Sequence, residues 1–115
     1  MAPIEDEEGH ANCDTAVTLA FTVLGKRWNA MIISALSNGA STFGGLRRAV
    51  VGISDPVLSE RLAELAEAQL VVRAVEPGPP VGVSYRLTDS GARLSPILTQ
   101  LGEWASGNLS ARSGR

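Results

Sequence analysis

Between Ser54 and Leu87 the spacing of apolar residues changes period, and this change constrains the fold more than any other feature of the chain. Ser54-Asp55-Pro56 sets capping side chains before a proline, the residue type favoured at the first helical position. Leu58, Leu62, Leu65 and Gln69 then follow at i, i+4, i+7 and i+11, the spacing of one helix face. That register leaves Val57, Ser59, Glu60, Arg61, Ala63 and Glu64 largely facing outward. From Leu70 the pattern is that of strands: a β-branched run to Val75, a proline- and glycine-rich turn from Glu76 to Pro80, and alternating Val81, Val83, Tyr85 and Leu87. A capped amphipathic helix followed at once by a β-hairpin is the expectation.

Three helices are expected before this unit and one after it. From Thr15 to Leu24, Val17, Ala20, Phe21 and Leu24 form one stripe, and Ala16, Leu19 and Val23 a second beside it. A small domain covers one such face, so the second implies burial against another subunit. Gly25 is a residue type suited to a left-handed helix end, and Trp28 to Leu36 is a second apolar-periodic segment, stopped by Asn38-Gly39. A third helix runs from Thr42, a good cap, to about Val50, with Phe43 and Leu46 inward, Arg47 and Arg48 near its end, and Gly52 breaking the chain after it. After the hairpin, Thr88 or Asp89 caps a last helix whose stripe is Leu94, Leu98, Leu101 and Ala105, widened by Ile97 and Trp104, with Pro96 expected to kink it or mark its start. The fold class is therefore α+β, mainly α, in one domain expected over residues 13–109, between an acidic flexible tail at 1–12 and a short tail at 110–115.

Two short helices joined by a glycine-containing turn, the second capped and amphipathic, can set one exposed helix in the DNA major groove. A hairpin directly after it stands where a wing tracks the backbone or the adjacent minor groove. This is a winged helix-turn-helix with extra N- and C-terminal helices. The formal charge of −2 speaks against nucleic acid until it is divided by position. Residues 1 to 14 hold Glu5, Asp6, Glu7, Glu8 and Asp14 and no base; the remainder holds ten bases against seven acids, a net of about +3. The candidate DNA contacts are Arg47 and Arg48, with Ser54, Asp55, Val57, Ser59 and Arg61 on the first turns of the recognition helix, and Arg86 on the wing.

Several separated blocks, in order, are similar to the HxlR family of bacterial winged helix-turn-helix regulators, relatives of the MarR type. They are Leu24-Gly25-Lys26-Arg27-Trp28, Phe43-Gly44-Gly45-Leu46-Arg47-Arg48, Gly52-Ile53-Ser54, Leu58-Ser59-Glu60-Arg61-Leu62-Ala63-Glu64-Leu65, Tyr85-Arg86-Leu87-Thr88, Gly91 and Trp104. The resemblance covers about Cys13 to Leu109. It implies a homodimer built from the first and last helices, with Leu19, Phe21, Val23, Ile97, Leu101 and Trp104 at the interface; a cytoplasmic location is expected separately, from an acidic N-terminus without the basic residue or apolar run of a secretory signal and from the single cysteine. It also implies two recognition helices reading a pseudo-palindromic operator; repression by occluding a promoter is the output expected of a chain this short, with activation through polymerase contact left open. Two departures stand out. Family wings place a basic residue after a proline and before Val-Glu-Tyr, where this chain reads Val81-Gly82-Val83-Ser84-Tyr85, and the family cysteine aligns with Thr15.

Other chemistry is poorly served. No apolar run approaches the roughly 20 residues of a membrane-spanning helix. There is no glycine-rich phosphate loop, and the chain has a single histidine, so neither an enzyme nor a bound cofactor is expected. His10 and Cys13 cannot complete a closed zinc site. Cys13 is the one candidate redox sensor: neighbouring carboxylates disfavour its thiolate and a following helix N-terminus favours it, so an idle thiol stays open beside a sensing one. Trp28 and Trp104 lie in apolar-periodic segments and are expected in the core or the dimer interface. An inducer binding between the dimer helices is compatible with this architecture, and no residue identifies it. The alternative function is a winged helix whose exposed face binds protein, motivated by Glu60, Glu64 and Glu67 on or near that face.

Overall fold

The computed structural model describes residues 14–110, so the acidic tail, Cys13 and nearly all of the C-terminal tail lie outside the described residues. The element order is α1 (residues 14–24), α2 (Arg27–Leu36), α3 (Phe43–Ala49), α4 (Asp55–Glu67), β1 (Val71–Glu76), β2 (Gly82–Leu87) and α5 (Asp89–Asn108). This is the sequence of elements the apolar spacing implies.

Helix starts follow the expected chemistry. Thr42, Ser54 and Thr88 cap α3, α4 and α5, each side-chain oxygen accepting from the backbone N–H three residues on. The Thr88 hydroxyl also donates to the Gln69 carbonyl at 2.7 Å, joining the start of α5 to the end of α4. Pro96 marks neither a start nor a break: α5 runs through it from Asp89. The N–H it lacks would have served the carbonyl of Ala92, an exposed residue.

Two helix ends depart from expectation. Gly25 is not left-handed; a side chain there would place its Cβ 2.5 Å from the Phe21 carbonyl oxygen, so glycine serves close approach of the backbone. Gln69 does not extend the buried stripe of α4. It sits at φ 63° just beyond the helix, with its N–H bonded to the Ala66 carbonyl and the Leu70 N–H to the Leu65 carbonyl. This Schellman turn ends α4 and points the chain into β1.

The core is a wedge between α2, α3, α4 and the hairpin root. Ile32, Ile33 and Leu36 from α2 meet Leu46, Val50 and Ile53 around α3, Leu58, Leu62 and Leu65 from α4, and Val71 from β1, all buried. Trp28, Phe43, Tyr85 and Leu87 pack around it. The strands pair antiparallel with Val71 opposite Leu87 and Arg73 opposite Tyr85. Ser41, just before α3, adds two backbone bonds to Tyr85, 2.9 and 2.7 Å, which tie the wing to the helical unit. By contrast α1 is exposed from residue 14 to 22, and only Val23 and Leu24 reach the core.

Candidate nucleic-acid interface

Helices α3 and α4 are joined by the turn at residues 50–54, with Gly52 at φ 96°, a value glycine tolerates without strain. The turn brings Arg47 from the last turn of α3 against Asp55 in the first turn of α4: one guanidinium nitrogen lies 3.0 Å from both carboxylate oxygens. Both side chains are about half exposed, so the pair contributes at most about 1 kcal/mol and can reopen to a phosphate. Arg48 beside it is exposed and has no ion pair among the described residues. Ser54 is exposed and occupied as the cap of α4, its Oγ accepting from Val57 N–H at 3.4 Å.

The outward face of α4 differs from the one expected. Asp55, Pro56, Ser59, Glu60, Ala63 and Glu67 are exposed, whereas Val57, Arg61 and Glu64 lie half-buried along one flank. The Arg61 side chain is only 14% exposed and lies near Glu60 and Glu64 at 3.5 and 3.6 Å, with its Nε buried and unpartnered. Glu64 accepts from the Lys26 ammonium at 2.6 Å and from the amide of Asn29 at 3.1 Å. Asn29 is fully buried and also donates to the Val23 carbonyl at 2.8 Å, so one side chain joins α1, α2 and α4. The hydrogen bond from Lys26, then that from Asn29, and the nearby Arg61 charge hold the Glu64 carboxyl below its usual range against partial burial. The physical reason for the altered face is the angular position of residues 57, 61 and 64, which a helical wheel places on the border; an anchoring Lys26–Asn29 pair decides the side.

On the wing, opposite residues of the two strands share a face and neighbours alternate. Arg73 and Tyr85 are a pair, so they share the face that carries Val71 and Leu87 toward the core; Arg86 pairs with Val72 on the other face. Arg73, Tyr85, Ser59, Leu62, Ala63 and Ala66 line a groove of about 240 Å³ between α4 and the hairpin. Ser59 is thus the polar residue among the four of α4 that adjoin the wing, while Arg86 projects away from that groove. Sequence reasoning missed Arg73, Lys26 and Asn29. The signal for Arg73 was the alternation of β1, which puts it on the same side as Val71 and Val75; nothing local marks Lys26 or Asn29, whose partner is 38 or 35 residues away.

Of the residues assigned to a dimer interface, Leu19, Phe21, Ile97, Leu101 and Trp104 are exposed at 63, 54, 55, 47 and 53%. Val23 is half-buried against the chain's own core. Trp28 packs on the core under the Arg27 guanidinium, 4.4 Å from the ring centroid. Trp104 does not enter the core. A groove of about 530 Å³ between α2 and α5 is lined mainly by apolar atoms of Ala30, Met31, Ala35, Leu98, Leu101 and Ala105.

Two linked helices, an exposed second helix and a hairpin bound to the turn before the first define a winged helix-turn-helix. Comparison with known proteins narrows this class. The chain belongs to the HxlR-like helix-turn-helix family, whose model matches residues 23–113. It is 44% identical over 86 residues to the HTH-type transcriptional regulator YvaP of Bacillus subtilis, covering 75% of this chain and 80% of that one. The reduced form of the transcriptional regulator YodB from B. subtilis superposes with a TM-score of 0.76 at 38% identity, covering 81% of this chain and 91% of YodB. The redox regulator HypR in its oxidised form gives 0.76 at 30% identity, covering 84% of this chain and 99% of HypR. The protein is a winged helix-turn-helix transcriptional regulator; members of this family are regulators and not enzymes. Among the described residues no helix is long and apolar enough to cross a membrane.

Proposed function

We propose that the chain acts as a cytoplasmic homodimer that represses transcription by binding a pseudo-palindromic operator. The observation that carries the dimer is the uncovered apolar surface of α1 and α5, from Leu19 and Phe21 to Ile97, Leu101 and Trp104. The radius of gyration agrees: it is 17.3 Å, against about 13 Å for a compact single chain of this size. A second copy offers the same stripes, and Leu98 and Leu101 flank the α2–α5 groove that such a stripe can enter. Dimerisation would place two α4 helices in successive major grooves, about 34 to 36 Å apart.

In this reading residues 13–109 form one DNA-binding domain. Ser59 and the N-terminal turn of α4, with Ser54 and Asp55, face the base edges, while Val57, packed against the core, supports that turn; Arg47 and Arg48 serve phosphates; Arg61 contacts DNA only after leaving Glu60 and Glu64; Arg86 reaches DNA only beyond the wing's outer face. Selection of bound sequences from a random duplex pool tests this: an inverted repeat is expected, and enrichment of a single half-site overturns the dimeric reading. The protein-interaction alternative has lost its motive in part, because Glu64 is drawn into the Lys26–Asn29 anchor and only Glu60 and Glu67 stay exposed.

A second reading adds a redox input at Cys13, favoured by the likeness to the redox regulator HypR. Mild oxidant should then weaken operator binding by the wild type and leave Cys13→Ser unchanged; equal responses would remove it.

A further inference from the structure

We propose that Arg73, at the anchored root of the wing, is the hairpin's phosphate contact to DNA, in place of a cation at the wing tip. The inference rests on the DNA-binding reading above and assigns a residue within that surface.

Hairpin residues 71–87 contain two cations, Arg73 and Arg86, and the tip from Pro77 to Val83 contains none. A positively charged wing contact to a polyanion therefore comes from one of these two arginines. Register separates them: Arg73 shares the face and groove of Tyr85, Ser59 and Ala63 on α4, whereas Arg86 lies on the opposite face beside Val72. A backbone phosphate bordering the major groove that α4 occupies lies on the Arg73 side.

Availability is compatible with Arg73 and does not separate it from Arg86, which is likewise exposed and without an ion pair among the described residues. Lys26 is held by Glu64, Arg47 by Asp55, and Arg61 lies against Glu60 and Glu64. Arg73 is exposed and has no ion pair among the described residues, so nothing must be broken before it meets a phosphate. Position adds order. Arg73 stands directly across from Tyr85, whose backbone is held by two bonds to Ser41 ahead of α3. Its strand is thereby fixed relative to α3 and α4, so Arg73 is carried on backbone already tied to the recognition unit.

The test is binding of the full chain to a mixed-sequence duplex of about 30 base pairs, followed from about 50 to 200 mM salt. Each phosphate contact contributes about 0.9 to the log-log slope, so a dimer of Arg73→Ala should be shallower than wild type by about 1.8. Arg73→Lys keeps a point charge able to meet phosphate and should retain the wild-type slope. Far-ultraviolet circular dichroism confirms folding of both variants. An unchanged slope in Arg73→Ala overturns the proposal while leaving the DNA-binding reading intact. A slope in Arg73→Lys as shallow as in Arg73→Ala also overturns it, since a phosphate contact survives that exchange. Wild-type protein that fails to bind, or binds without salt dependence, overturns the DNA reading and Arg73 with it.

Discussion

Helices α2 and α4 differ from α1 and α5 in what becomes of equally clear apolar stripes. Ile32, Ile33 and Leu36 of α2 and Leu58, Leu62 and Leu65 of α4 are 0 to 3% exposed. Leu19 and Phe21 of α1 and Ile97, Leu101 and Trp104 of α5 remain about half exposed on residues just as periodic. The difference teaches that periodicity states a need for burial without naming the partner. A stripe left open on this scale in a small domain is what an interaction surface looks like.

The largest effect expected separates the two groups directly. Leu65→Ala removes a fully buried side chain and should cost about 2–5 kcal/mol, read as a lower denaturant midpoint. Leu101→Ala should instead weaken self-association about tenfold in sedimentation measurements, with helix content retained. Equal loss of helix in both variants would erase the distinction between covered and open stripes.

Asn29→Ala comes next, because it strips the buried donor that holds the Val23 carbonyl and the Glu64 carboxylate together. A loss of about 1–3 kcal/mol in unfolding free energy is expected. It sharpens the comparison by asking whether α1, open on its outer sides, depends on the core through this one junction. Gln69→Gly should move the other way, raising stability by about 1 kcal/mol in thermal melts, since Gln69 occupies a left-handed position that glycine adopts freely.

Smaller still is the Arg47–Asp55 pair: a double-mutant cycle should give about 0.2–1 kcal/mol of coupling. The smallest effect concerns pH. The Glu64 carboxyl is held low chiefly by Lys26, so its contribution is present above the usual carboxylate range and is lost as pH falls through the lowered folded value. Urea midpoints from about pH 6 to pH 3 should fall less steeply in Glu64→Gln than in wild type.

Much of the helix-turn-helix was legible locally. Thr42, Ser54 and Thr88 act as caps where their side chains and spacing indicate, and the change of period at Leu70 separates α4 from the wing. The candidate surface was less legible. Arg61 and Glu64 sit on the border of the helical wheel, where an angle alone cannot tell which way a long side chain turns. Lys26 and Asn29, distant in sequence, hold Glu64 inward, and Arg61 lies beside Glu64. Gln69 was misassigned because its spacing continues the stripe, while the chain needed a turn there to enter β1.

By itself the sequence determined the order and type of the elements, their caps, the wing and the family, because these depend on short-range spacing and hydrogen bonding within a few residues. Tertiary structure alone decided which charges are committed and which remain available: Arg47 to Asp55, Lys26 to Glu64, Arg61 turned inward, Arg73 left open beside the recognition helix. Ion pairs between separate elements form only once packing has set their distance, and Coulomb attraction weakens with every ångström that packing adds.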